Sequence, residues 1–206
     1  MSIFFEAIKS IFFDTDTSPQ EDTIFTPQDL TSHYREEIKD MAIDWVFVAT
    51  TYNKIKESIE AYKYRSDRQY IWQYVDLLAK VVEKYSLTCI EDDIAIISVP
   101  MHWSRYMIRG FNHIDLLARW LSERLGIAYQ KPIRALFSKR QSRLSKKERM
   151  KNRESAYILV PSSKVPKVVI LVDDIISTGA TANACAKILK NVGTEKIYTI
   201  FIASNY

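Results

Sequence analysis

Asp173 and Asp174 stand side by side at the end of an apolar run, and Ser177, Thr178, Gly179, Ala180 and Thr181 follow almost at once. The two groups suit different chemistry. Adjacent carboxylates repel an anionic phosphate but accept hydrogen bonds from vicinal hydroxyls such as those of a ribose. The hydroxyls of Ser177, Thr178 and Thr181 donate to phosphate oxygens. Together they predict a ligand in which a sugar diol lies next to a phosphate, that is, a ribose 5-phosphate.

The flanking elements must position these groups. Val168 to Val172 are five consecutive apolar residues, four of them β-branched, which predicts a parallel strand covered on both faces with the acids where it ends. Residues 177–181 predict a loop of little bulk. Ala180 to Asn191 predicts a helix with Ala184, Ile188 and Leu189 on one side. Open α/β sheets bind ligands beyond the carboxyl ends of their strands, and a helix N-terminus there offers free N–H groups to phosphate. The plainer alternative is a strand followed by a capped helix with no ligand. A receiver domain also ends a strand in acids, but it places them near its start and lacks a Ser-Thr-Gly-Ala-Thr loop directly after them.

The stretch from Val169 to Thr181 resembles the phosphoribosyl-diphosphate (PRPP) motif of type I phosphoribosyltransferases: an apolar strand, two acids, two residues, then a Thr-Gly loop. The resemblance implies that Asp173 and Asp174 hold the ribose hydroxyls. It also implies that Ile175 and Ile176 lead into a loop, Ser177, Thr178, Gly179, Ala180 and Thr181, that wraps the 5-phosphate.

The rest of the chain is compatible with one globular domain and a small appendage. It has 206 residues, 47% of them hydrophobic, and no apolar run approaches the roughly 20 residues of a membrane span. Residues 1–13 lack the basic leader and cleavage site of a signal peptide. Cys89 and Cys185 lie in apolar surroundings and suggest inert core thiols, so the expected location is the cytoplasm. The net charge of +4 is unevenly spread. Residues 131–153 hold ten lysines or arginines against one acid, whereas Asp14 to Asp44 holds nine acids against Arg35 and Lys39. Such a basic block is a solvated face or an anion-binding segment.

In chain order, residues 1–13 suggest a short helix and residues 14–32 a loop or linker. Helix signals appear at Ser32 to Ile38. Trp45 to Thr50 predicts a strand and Tyr52 to Tyr64 an amphipathic helix. Asp67 caps a helix to about Tyr85, and Ile94 to Val99 predicts a buried strand that Pro100 ends. Met101 to Arg105 reads as a loop. Arg109 to His113 leads into a helix through Leu125, with Gly126 as its C-cap. Tyr129 to Leu136 contains a short strand. Ser145 and Glu148 form a capping box. Tyr157 to Val160 and Lys196 to Ala203 predict strands.

Three further blocks narrow the resemblance. They are Tyr52, Lys56, Ile59 and Tyr62-Lys63-Tyr64; Pro100, Arg109-Gly110-Phe111-Asn112 and Leu117-Ala118; and Gln141, Leu144-Ser145, Arg149, Asn152 and Ala156-Tyr157. With the acid pair, their order is similar to the ComF family, phosphoribosyltransferase-like proteins tied to DNA uptake and transformation in bacteria. The similarity covers about residues 45–206, which we take as the phosphoribosyltransferase-like domain (46–206), with 1–45 as an N-terminal appendage. ComF proteins commonly begin with a four-cysteine zinc module. Residues 1–45 contain no cysteine, so no zinc is expected. His113 stands where the family usually has Gln, and the usual Pro-Val-Pro is Ser98-Val99-Pro100-Met101-His102.

The family resemblance implies an α/β fold with a mostly parallel central sheet flanked by helices. It implies PRPP or ribose 5-phosphate as ligand, Mg²⁺ arriving with it, and transfer of the phosphoribosyl group to a nitrogenous acceptor. No protein residue is assigned as a metal ligand. Pro100, Met101 and His102 fall on the loop that contacts pyrophosphate in type I transferases. Arg105, Arg109, Lys146, Lys147 and Arg149 are its candidate cationic contacts, the last three on a closing loop. Arg109 reads equally well as a structural ion pair. His113 reads as a simple polar contact at a helix start, and His102 is open between that and a role in the site. The competing reading is a non-catalytic DNA-handling or regulatory module. It would use the pocket as a ligand sensor and residues 131–153 to touch single-stranded DNA. A homodimer is compatible with either.

Overall fold

A computed structural model describes residues 23–25, 41–64, 70–89, 93–101, 103–136 and 156–204. The helix expected in 1–13, the helix signals at 32–38, the Asp67 cap, His102, the 145–148 capping box, and Lys146, Lys147 and Arg149 lie outside the described residues.

The chain is α/β. Its strands are β1 (Thr23–Phe25), β2 (Trp45–Thr51), β3 (Ile94–Ser98), β4 (Ala128–Gln130), β5 (Ile133–Ala135), β6 (Tyr157–Leu159), β7 (Val168–Ile176) and β8 (Lys196–Ser204). Its helices are α1 (Tyr52–Tyr64), α2 (Ile71–Lys84), α3 (Trp103–Arg109), α4 (His113–Leu125) and α5 (Ala180–Asn191). The main sheet has the order β1-β2-β8-β7-β3-β4, and β5 and β6 form a separate two-stranded piece. Strands β2, β8, β7, β3 and β4 are parallel, and β1 joins the edge antiparallel. Among the described residues no helix is long and apolar enough to cross a membrane.

The β-branched run makes β7 a central strand, because both of its faces are covered. Val168, Ile170 and Val172 enter a core with residues of α1, α2 and α4. Val169 and Leu171 enter a second core with Ala182, Cys185, Ala186 and Leu189 of α5. Strand β3 therefore feeds a helix on one face and β7 feeds a helix on the other. The chain turns in opposite directions after these neighbouring strands, and open α/β sheets bind ligands at the carboxyl ends of strands at such a switch point.

Four local expectations are corrected. Strand β7 does not stop before the acids: its ladder with β8 continues to Ile176 opposite Ser204, so both aspartates lie within the strand. The loop expected at Met101 to Arg105 gives way to helix α3 at Trp103. Thr23–Phe25, inside the expected linker, pairs with Val46–Val48 of β2. The single strand expected in 129–136 is split around Lys131-Pro132. Before this break β4 pairs with β3, and after it β5 pairs with β6. A proline cannot donate to a ladder, which favours the break there.

Candidate functional site

Side chains alternate across a strand, so Asp173 and Asp174 project to opposite faces of the sheet. Asp173 lies toward α5, near Cys185 and Tyr157, and Asp174 lies toward α1 and α4, against Lys63 and His113. The loop after β3 is tied in beside them. Val99 N–H donates to the Val172 carbonyl at 2.9 Å, which brings half-buried Pro100 and Met101 up to the acids.

Asp174 is held from its own side. Its Oδ2 receives Lys63 Nζ of α1 at 2.5 Å and His113 Nε2 of α4 at 2.9 Å. Its Oδ1 accepts the Ile175 N–H at 2.6 Å. The His113 ring is buried, and the Tyr62 hydroxyl donates to the His113 carbonyl at 2.6 Å, fixing the start of α4. Arg109 Nη1 lies 3.1 Å from Nδ1 and 3.2 Å from Nε2 of the same ring. Nε2 faces a carboxylate and must carry the proton, which leaves Nδ1 as the acceptor toward Arg109. His113 is thus a neutral imidazole. Burial holds its pKa below the usual value despite the Asp174 carboxylate, and the Arg109 and Lys63 charges push the same way. Asp174 is pushed well below the usual carboxylate range. Burial opposes this, but the His113 hydrogen bond and the Lys63 charge outweigh it.

Asp173 is the converse. Its Oδ1 accepts the N–H of Asp174 at 2.9 Å. Burial first, and the neighbouring Asp174 charge second, raise it to about 7. Lys63 and Arg105 of α3 are near enough to oppose that rise. On this face lie Cys185 of α5, fully buried, and Tyr157 of β6, whose hydroxyl bonds Thr181. Burial pushes the Tyr157 hydroxyl up to about 12 and the Cys185 thiol higher still, so both stay protonated.

The hydroxyl loop enters α5 through Gly179, with φ +66°, a left-handed conformation that favours glycine. Thr178 Oγ1 accepts the Ala180 N–H at 3.3 Å, and Asn183 N–H begins the helical ladder on the Gly179 carbonyl at 2.9 Å. Ser177 is exposed, and Thr178, Ala180 and Thr181 are half-buried. The chain thus brings together the acids, Ile175, Ile176, the 177–181 loop, Pro100, Met101, Arg105 and Arg109. Arg109 touches a buried imidazole that touches Asp174, so its position is structural as well as close to the site.

Sequence reasoning missed Lys63 and Tyr157 as members of the site and read His113 too lightly. His113 and Asp174 are 61 residues apart, and no local periodicity connects them. The one available signal was the unusual content of the Tyr62-Lys63-Tyr64 and Arg109–His113 stretches.

Residues 116–205 match the family described as phosphoribosyl transferase domain. The chain is 40% identical over 107 residues to Competence protein F of Haemophilus influenzae, covering 50% of this chain and 47% of that protein. It is 28% identical over 153 residues to Competence protein ComFC of Streptococcus pneumoniae, covering 72% and 63%. It is 34% identical over 105 residues to the DNA utilization protein YhgH of Salmonella typhi, covering 50% and 45%. The chain therefore spans between about half and under two thirds of the length of these relatives. With the parallel sheet, the acids toward the carboxyl end of β7 and the loop at the start of α5 in place, residues 116–205 resemble a phosphoribosyl transferase domain, and the chain is similar to competence and DNA utilization proteins over part of their length.

Proposed function

We propose that the site at the carboxyl ends of β3 and β7 binds PRPP, or another ribose 5-phosphate, and that the protein transfers the phosphoribosyl group to a nitrogenous acceptor. One observation carries this reading: the Asp173 carboxylate, inside β7, lies near Tyr157, whose hydroxyl bonds Thr181 of the loop that opens α5. That juxtaposition suits a sugar beside a phosphate. The first-turn N–H groups of α5 lack intrahelical partners and favour an anion. Arg105 and Arg109, from α3, supply positive charge toward a pyrophosphate.

Among the described residues no three His, Cys, Asp or Glu side chains converge as a metal cage. The available donors fit a Mg²⁺ that travels with PRPP, keeps several waters and takes at most one or two carboxylate contacts. When bound, it would neutralise the leaving pyrophosphate. The chain's own part is to fix the diol and to place negative charge beside the positive charge that develops on the ring. The relatives' names supply the setting, competence and DNA utilization, and on that basis we assign this chain a part in DNA uptake and natural transformation. A sensor without turnover, with residues 131–153 on single-stranded DNA, is the second reading, favoured by those same names.

The test is calorimetry with PRPP and Mg²⁺, followed by a screen of nitrogenous bases for pyrophosphate release. Saturable binding with release for at least one base supports transfer. Binding without release for any base favours the sensor, and no binding removes both.

A further inference from the structure

The two members of the acid pair meet different surroundings. We propose that Asp173 is the carboxylate that meets the sugar hydroxyls, and that Asp174 is a positioning acid locked on the far side of the sheet by Lys63 and His113. This rests on the phosphoribosyl reading above and divides the labour within it.

Three observations carry it. The contacts of the two acids lie on opposite sides of β7: Asp174 meets Lys63 and His113, whereas Asp173 is the acid near Tyr157, whose hydroxyl bonds Thr181. Acceptor capacity is the second. A carboxylate offers about four lone-pair sites. On Asp174, Lys63 and His113 both use Oδ2 and the Ile175 N–H uses Oδ1, leaving too little for the two hydrogen bonds of a diol. On Asp173, among the described residues, the Asp174 N–H is the hydrogen bond in place. The third is origin. Lys63 and His113 come from α1 and α4, the face opposite α5, and both are buried, so they are built into the core rather than laid over the site.

The arrangement has an electrostatic result. With Lys63 as counter-ion, Asp174 keeps its charge, and that charge resists a second one on Asp173. Burial and that charge together hold Asp173 above the usual carboxylate range, and sugar hydroxyls bind the ionised form better because charge-assisted hydrogen bonds are stronger. The charged and titratable groups that set this balance are Asp174 on β7, Lys63 on α1, Arg105 and Arg109 on α3, His113 on α4, Cys185 on α5 and Tyr157 on β6. Lys63 acts through Asp174 and is a positioning residue.

The experiment is calorimetry with PRPP and Mg²⁺ over about pH 5 to 9, which spans the free carboxylate and neutral ranges. Comparison between variants removes the ligand's own ionisation. Asp173→Asn should weaken binding about ten- to a hundredfold, as for lost hydrogen bonds to a charged group. Asp174→Asn should retain most of the affinity and move the pH midpoint of binding lower, because the repelling charge is gone. Lys63→Met should move the midpoint higher, because both carboxylates lose a cation, and Lys63→Arg should restore the wild-type profile. Equal losses in the two aspartate variants, or a midpoint that ignores both Asp174→Asn and Lys63→Met, overturns the proposal. A carboxyl-carbon NMR titration of the ligand-free protein keeps the two claims separate. There Asp174 should remain ionised through the range in which Asp173 titrates. If the carboxylates titrate together in the usual range, the division of roles fails even where PRPP binds. If they titrate apart but the wild type binds no PRPP, the phosphoribosyl reading fails, and the sugar role of Asp173 fails with it.

Discussion

Asp173 sits in a place that costs the fold stability, and the cost depends on pH. Its folded pKa, about 7, lies above the usual 3.8, so between these values the folded chain holds a proton that the unfolded chain has lost. Stability therefore declines as pH rises through that window and levels off above it. Asparagine has no proton to lose. Asp173→Asn should raise the thermal midpoint, and by more at about pH 8 than at about pH 5. An equal gain at both would show that Asp173 is not held protonated. Lys63 behaves oppositely. Its side chain and that of Asp174 are 10% and 14% exposed, and removing one partner of such a pair leaves a buried charge. Lys63→Met should cost about 3 kcal/mol in denaturant unfolding, with His113 still holding Asp174 in part. Only one side of this site was legible beforehand. Adjacent acids and a hydroxyl loop show themselves in nine residues of sequence, Asp173 to Thr181. The cations that hold Asp174 come from other helices, and only the fold brings them in.

The elements with strong periodicity were the legible ones. The bounds expected for α1, Tyr52 to Tyr64, and for α5, Ala180 to Asn191, coincide with the helices found. The carboxyl end of α4 was readable from Gly126, which takes φ +70° as the left-handed cap. Gly126→Ala meets no atom within 4 Å, so its cost should be conformational alone, about 1–2 kcal/mol. A much larger loss in chemical denaturation would point to packing instead. At the other end of α4 the Asn112 side chain accepts the Asp115 N–H at 3.1 Å, and Asn112→Ala should cost about 1 kcal/mol by the same measurement. The misread elements were short or depended on distant partners. Strand β1 exists by pairing with β2, and the three-residue strands β4 and β5 each take their identity from a neighbour. The onset of α3 at Trp103 followed a proline and a histidine, and no periodicity can be read in seven residues.

Across the whole molecule, charge separates the two functional readings. The basic block at 131–153 begins in the described part with Lys131, whose Nζ pairs with Asp115 at 2.6 Å, so its first cation already has a structural partner. If the remaining cations grip pyrophosphate, replacing Lys146, Lys147 and Arg149 with Ala should weaken PRPP binding or turnover. DNA binding should then be weak and not displaced by PRPP. If they grip DNA, the wild type should bind single strands tightly and lose on the order of a thousandfold in affinity between about 50 and 200 mM salt, while PRPP binding survives the triple substitution. Filter binding across a salt series, beside calorimetry, reads both.

The strand order has a consequence for how the molecule is made. Strand β8 is the latest of the six in the main sheet, yet it lies between β2 and β7 and joins Trp45 to Tyr198 and Ile176 to Ser204. Until residues 196–204 have been synthesised, two apolar strands each present an open flank, and the halves of the sheet have no common member. Pairings this far apart close slowly. A chain arrested on the ribosome before Lys196 should be cut readily by protease along β2 and β7, and release of the full chain should bring protection to both strands in one step.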